Sequence, residues 1–388
     1  MTEPTTATAT AATGATATAV PAAGAADGPG EWQATHIYYA ANPRPLLLDC
    51  VRPLVASLEA DGLLADYFFI NYWLEGPHLR LRIRPARPGA ADEVRERTEA
   101  AVARFLAERP ALYQVDSGFL NEFYNKLFEI EFSTVAREQY TDDEGRMNLQ
   151  PNNSYRAVPY APEYGKYGGP AGIDLAEWHF RRSSDLVIDA LATKNLHLRT
   201  VLLGTSSQLM TVMAATFLPD REAVADYMED YYHFWHRAFP DTGFIGSTEY
   251  DRRFTDVAPQ LDAWYTRVRA AVTEADAAGP GTPTAGLPAF LAGWADHCRE
   301  LRDRVVGLAR EGKLVFRAPH EESEQVVTDP RDALVRLLSP YLHMTNNRLH
   351  VTIQDEAYLS HMLARTLTEY PALRAAAAGA DGTEAGTA

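Results

Sequence analysis

Cysteine is nearly missing: Cys50 and Cys298 are the only two in 388 residues. No disulfide framework can hold such a chain, and a reducing, cytoplasmic setting fits the scarcity. No apolar run reaches the roughly 20 residues that a membrane span needs, so no membrane contact is expected. The opening MTEPTTATATAATGATATAV has neither a basic start nor a dense apolar stretch, and it does not read as a signal peptide. Positive charge is short as well. Lys and Arg total 36 against 52 Asp and Glu, a formal net charge of −16. Proteins that grip tRNA or DNA usually carry a basic footprint, so direct tRNA binding is not expected. Gly-x-Ser-x-Gly, Cys-x-x-Cys, the Rossmann fingerprint and the Walker phosphate loop do not occur. His233 and His236 in YYHFWHRAF have no third ligand nearby. No metal site and no cofactor are expected.

What is present suits a globular fold. The chain is 46% hydrophobic and 23% charged, enough to bury one large core or two ordinary ones. Residues 1–30 are Ala/Thr-rich and read as a disordered tail, as do residues 373–388. Residues 31–372 remain as the ordered domain. Trp32–Tyr39 is aromatic and β-prone. Pro45–Asp61 has helical spacing at Leu48, Val51, Val55 and Leu58, and Gly62 stops it. Tyr67–Trp73 predicts a buried strand, His78–Arg84 a strictly alternating one, Asp92–Glu108 a helix and Glu129–Val135 a further strand. Asn148–Pro170 is rich in Asn, Pro, Tyr and Gly and predicts a long ordered loop.

From Ile173 onward the spacing is mainly helical, over Asp185–Thr193, Leu196–Leu218, Arg221–Phe239 and Ala289–Arg310. Ala275–Pro288 predicts a surface loop or an interdomain joint. Asp329-Pro330 and Thr352-x-x-Asp355 look like helix starts. The expected class is α+β: an antiparallel, sheet-containing N-terminal half packed with a mainly helical C-terminal half.

Three features can carry chemistry. Period-two alternation points His78, Arg80, Arg82 and Arg84 one way, with Leu79, Leu81 and Ile83 on the other. Such a face is either solvated and paired with the many carboxylates or an anion pocket, because guanidinium groups grip carboxylates bidentately. In Tyr341-Leu-His-Met-Thr-Asn-Asn-Arg348, Ser339-Pro340 can start a short helix on which His343 and Asn347 share a face, with Asn346 beside them. His343 is then a candidate acid or base, or a hydrogen-bonded core histidine. In Glu163-Tyr-Gly-Lys-Tyr-Gly-Gly169 the glycines allow close backbone approach and place Glu163 and Lys166 on an ordered loop.

FFINYWLEGPHLRLRI, PEYGKYGG and SPYLHMTNNRL, in this order and at this separation, resemble the C-terminal glutamate-elimination domain of lantibiotic dehydratases, which also occurs alone in thiopeptide biosynthesis. The resemblance runs from about Trp32 to Tyr370. It implies that domain's fold and its activity: expelling glutamate from glutamylated Ser or Thr of a precursor peptide to leave dehydroalanine or dehydrobutyrine. It also implies two partners, the precursor peptide and a separate glutamyl-tRNA-dependent glutamylation protein, and it allows a homodimer.

Carried over by position, the family's two strand arginines match Arg80 and Arg82, and its histidine matches His343. A family arginine before Tyr-Gly-Gly is Lys166 here, which keeps the charge and loses the planar fork. Arg80 and Arg82 would hold the leaving glutamate; His343 or Lys166 would take the Cα proton. His78, Glu163, Asn347 and Arg348 complete the expected substrate-binding set. Two alternatives accompany this reading. One is a pyridine-synthase-type enzyme that joins two dehydroalanines in a formal [4+2] cycloaddition. The other is a non-catalytic module that binds the precursor peptide.

Overall fold

Alternating side chains in three consecutive β-prone segments build the front of the molecule. The computed structural model describes residues 28–113, 127, 138–238, 248–317 and 323–375. Strands β1 (Gln33–Tyr38), β2 (Leu64–Tyr72), β3 (His78–Pro85) and β4 (Ser154–Val158) form one antiparallel sheet in the order β2-β3-β1-β4. Leu79, Leu81 and Ile83 share a core cluster with Ile37 and Phe69. That face packs on helix α2 (Arg52–Ala60), which follows α1 (Arg44–Leu46) and a π-helical turn (Leu47–Val51), and on α3 (Ala91–Glu108).

Eight further helices follow among the described residues. They are α4 (Tyr164–Tyr167), α5 (Gly169–Thr193), α6 (Arg199–Phe217), α7 (Arg221–Ala238), α8 (Thr248–Ala277), α9 (Ala289–Arg310), α10 (Pro330–Leu349) and α11 (Ile353–Thr368). The expected α+β arrangement is what the chain adopts. Among the described residues α6 alone is long and apolar enough to cross a membrane, but two-thirds of it is buried, against α8, α9 and α10. It is built as the central core helix.

Two devices position the motifs. The outer edge of β2 would leave backbone groups unpaired, and α5 and α10 cover it. Ser184 Oγ accepts from the Phe69 N–H at 3.3 Å, and Asn347 pairs with the Asn71 backbone. The second device is the hairpin of β5 (Leu314–Phe316) and β6 (Gln325–Val327), which seats α4. Val315 N–H donates to Gly168 O and Arg317 N–H to Gly165 O, both at 3.0 Å. A Cβ on Gly165 would lie 2.8 Å from the Arg317 carbonyl, and one on Gly172 would lie 1.8 Å from Tyr167 O. The glycines permit this close backbone approach.

Several sequence expectations change. Asn148–Pro170 is not one loop: it contains β4 and α4, and α5 begins inside it. β4 is an edge strand whose residues lack an apolar alternation, so period two gave no signal. Ser339-Pro340 does not start a helix. α10 begins at Pro330 and runs through Pro340, whose ring is buried in the core; packing there outweighs the one hydrogen bond a proline removes. Ala275–Pro288 starts inside α8 and continues as a loop tied to α9, with Thr284 held by Asp296 and Arg299 reaching Thr282 O. α8, which carries an internal Pro259, and the three-residue strands β5 and β6 are absent from the elements that the sequence spacing predicts. Gly30, counted in the tail, is tied to Pro85 O. Helical backbone also continues to residue 375, past the expected start of the C-terminal tail. The Glu129–Val135 strand and most of both tails lie outside the described residues.

Candidate active site

Directly opposed residues of an antiparallel sheet share a face. The register therefore collects Tyr38 and His36 of β1, Phe68, Ile70 and Tyr72 of β2, Arg156 of β4, and His78, Arg80, Arg82 and Arg84 of β3 on the side away from α2 and α3. The Arg80 guanidinium lies 3.3 Å from the centre of the Tyr72 ring. Its Nε donates to His78 Nε2 at 3.2 Å, and His78 Nδ1 donates to Gly76 O at 2.8 Å. His78 therefore serves as a neutral wedge that aims Arg80. Burial, with Arg80 and Arg82 and against the Gly76 carbonyl, brings its pKa down to about 3. His36 is lowered to about 2 by burial and then by Arg80 and its other cationic neighbours.

Arg82 is only 6% exposed, and its Nε and Nη1 have no protein partner. Burial and then the charge of Arg80 lower its pKa to about 9, which leaves it cationic at neutral pH. The fields of Tyr160 and Glu163 act the other way, which puts Glu163 of the PEYGKYGG segment within electrostatic reach of Arg82. The Tyr160 ring centre is 5.5 Å from the guanidinium. Tyr160 Oη donates to Glu177 at 2.7 Å, and Trp32 Nε1 donates to the other Glu177 oxygen at 2.8 Å. Burial raises the Glu177 pKa, against those two donors. Arg84 is spent differently, donating to Gly30 O at 3.0 Å beside Trp32.

Lys166 and Glu163 pair at 3.5 Å on α4, 44% and 63% exposed. His343 is partly buried on α10. Its Nδ1 meets Glu356 Oε2 of α11 at 2.9 Å, and the Trp235 ring centre is 5.3 Å away. Glu356 is 1% exposed; its Oε1 accepts from Tyr231 Oη at 2.8 Å and from Asn346 Nδ2 at 2.9 Å. Asn346 Oδ1 in turn accepts from Ser206 Oγ at 2.7 Å.

The structure thus gathers His78, Arg80 and Arg82 on one face with Glu163 near them. It connects His343 to that face mechanically: one helical turn separates it from Asn347, which holds Asn71, and Asn71 precedes the Tyr72 ring beneath Arg80. One expected substrate-binding residue is committed elsewhere, and another is enclosed in the core. Asn347 is bound to the β2 edge. Arg348 is fully buried, 4.5 Å from the Phe180 ring centre, with Nη1 donating to Met344 O and with Nε and Nη2 lacking a protein partner. Burial lowers its pKa to about 9.

Sequence reasoning missed Glu356, Tyr160, Glu177 and His36. Only His36 had an available signal, the alternation of β1; the others join through tertiary contacts. Beside the His78 end of the strand, a cleft of about 590 Å³ opens, lined by Tyr38, Pro77, Pro110, Leu112, Leu149 and neighbouring residues. Among the described residues no group of three or more His, Cys, Asp or Glu side chains is placed to hold a metal ion.

The first two of the following solved structures share this fold. The pyridine synthase TbtD from thiomuracin biosynthesis superposes with a TM-score of 0.63 at 20% identity, covering 86% of this chain and 97% of that one. TsrL gives 0.61 at 19% identity, covering 89% and 97%. The tRNA dependent lantibiotic dehydratase MibB from Microbispora sp. 107891 gives 0.44 at 19% identity, covering 92% of this chain and 29% of that one. No curated protein sequence matches the chain. The model of the lantibiotic biosynthesis dehydratase C-terminal family matches residues 32–367, and the chain belongs to that family.

Proposed function

We propose that this protein is a lyase of ribosomal-peptide biosynthesis, acting on glutamylated Ser or Thr of a precursor peptide. The observation that carries the reading is Arg82: a buried cation with two unsatisfied N–H groups, beside an aimed Arg80 and among aromatic rings. A carboxylate is the ligand that such a pair of forks fits, and the leaving group of this reaction is a carboxylate. His343 takes the Cα proton on Nε2, the C–H electrons form the Cα=Cβ bond, and the Cβ–O bond breaks. Its electron pair leaves on the glutamate α-carboxylate that formed the ester, whose new charge Arg80 and Arg82 stabilise. The protein depends on a glutamylation activity, which loads the glutamate.

The experiment incubates the purified protein with a synthetic glutamylated precursor peptide and follows both products by mass spectrometry. Free glutamate and a dehydroamino acid are expected, with no metal or nucleotide added. A second reading, formal [4+2] cycloaddition of two dehydroalanines, draws support from the fold match to the pyridine synthase TbtD, which covers 86% of this chain. If the glutamyl adducts stay untouched while an already dehydrated peptide is cyclised, that second reading replaces the first.

A further inference from the structure

The carboxylate behind His343 has no counterpart among the sequence motifs, and its surroundings constrain it unusually tightly. Glu356 lies in the first turn of α11, 1% exposed, and three donors converge on it. Oε1 accepts from Tyr231 Oη and Asn346 Nδ2, and Oε2 faces His343 Nδ1 at 2.9 Å. A carboxylate offers acceptors only, so the nitrogen facing it must carry the proton. The Asn346 amide is itself oriented, because its Oδ1 takes the Ser206 hydroxyl and its Nδ2 must then point at Glu356.

We propose that Glu356 is the positioning residue of His343, holding it as the Nδ1–H tautomer so that the second nitrogen, Nε2, is a bare base. The proposal rests on the reading of His343 as the proton-transfer group, and it specifies how the protein prepares that group. Ser206, Asn346 and Tyr231 form the scaffold behind it, drawn from α6, α10 and α7.

The same geometry makes Glu356→Gln an informative change. A glutamine presents one oxygen and one NH2 group. Two donors, Tyr231 Oη and Asn346 Nδ2, demand the oxygen at the Oε1 position. The NH2 group is then turned toward His343 Nδ1, which must accept, and the ring proton moves to Nε2. The volume is unchanged, yet the base becomes a donor. Glu356→Asp withdraws the carboxylate by one methylene and keeps its acceptor character.

The experiment combines nitrogen NMR of 15N-histidine-labelled protein, with His343→Ala assigning the resonance, and turnover of glutamylated peptide. The wild-type protein is expected to show His343 protonated on Nδ1, and Glu356→Gln to show it on Nε2. In the same variant kcat should fall by about 10²–10⁴-fold with KM little changed. Glu356→Asp should keep the Nδ1–H tautomer and recover part of kcat. An Nε2–H tautomer in the wild type would overturn the proposal. So would an unchanged tautomer in folded Glu356→Gln, or in Glu356→Asp if the glutamine variant does not fold, a tautomer that has switched. A switched tautomer with full turnover would instead sink the reading of His343 as the proton-transfer group, because the NMR result does not depend on activity.

Discussion

Asn347 completes the edge of the sheet from a helix: its Oδ1 accepts the Asn71 N–H at 2.9 Å while its Nδ2 donates to the Asn71 carbonyl at 2.7 Å. Asn71 returns the contact, donating from Nδ2 to the Asn347 carbonyl at 2.7 Å. An amide side chain here imitates the backbone of a missing neighbouring strand. The residue that helical spacing set beside His343 as a substrate contact is therefore a joint between α10 and β2. Asn347→Ala is expected to lower stability by about 2–3 kcal/mol, since it removes two hydrogen bonds and strands a backbone N–H. Denaturant unfolding measures that loss. Normal stability combined with lost peptide affinity would return Asn347 to the substrate-binding set.

Arg82 and Arg84 carry the same charge two positions apart and should respond differently. Arg84 is bound to the Gly30 carbonyl, whereas Arg82 keeps Nε and Nη1 unpaired inside the protein. Arg82→Lys keeps the cation and loses the fork, so turnover is expected to drop about 10- to 100-fold, the worth of one charge-assisted hydrogen bond. Arg84→Lys should change it less than about threefold. Equal tolerance in a side-by-side assay would show that the face binds no carboxylate.

The two sheet histidines give the fold an acid limit. His36 and His78 are held neutral, with pKa values of about 2 and 3. Their unfolded value is near 6.5, so below that pH the unfolded chain binds protons that the folded chain does not. Stability is complete above pH 6.5 and is lost as pH falls toward the folded values, at up to about 1.4 kcal/mol per pH unit for each group. Neither nitrogen of His36 has a protein partner. His36→Phe should therefore keep the packing and flatten the dependence of Tm on pH between 6.5 and 4. An unchanged slope would show that His36 is already charged in the folded protein.

Local chemistry was legible; long-range chemistry was not. Asp329 and Thr352 cap their helices as their side chains suggested, accepting from Asp332 N at 2.9 Å and Asp355 N at 3.1 Å. The alternation of β3 placed the arginines on one face because a strand has a fixed period of two. Asp355, however, does not reach back to complete a capping box; its carboxylate is paired with Arg199. Glu356 follows His343 by 13 residues on another helix, and His350 in the left-handed conformation turns the chain between them. No periodicity carries that pairing. Tyr160 and Glu177 meet across a strand edge and a long helix, 17 positions apart, and the Gly30–Pro85 tie spans more than 50. The residues that shape the site come from contacts of this kind.

Lys166 and His343 were both candidates for the base, and their surroundings separate them. Lys166 is 44% exposed and paired at 3.5 Å with a Glu163 that is 63% exposed. Water screens such a pair, so it holds neither side chain firmly in place. His343 has a buried carboxylate on one nitrogen and a free valence on the other. A ring fixed by a buried carboxylate is the better placed proton acceptor, so Lys166→Met should cost at most about tenfold in turnover, while His343→Ala should cost about 10²–10⁴-fold. Both variants must be melted alongside the assay, because a structural histidine would lower Tm and reduce activity only in proportion to the folded fraction. The single measurement that decides is kcat per folded molecule. A larger loss at Lys166 than at His343 would move the proton to the lysine and leave the buried glutamate of α11 as scaffold alone.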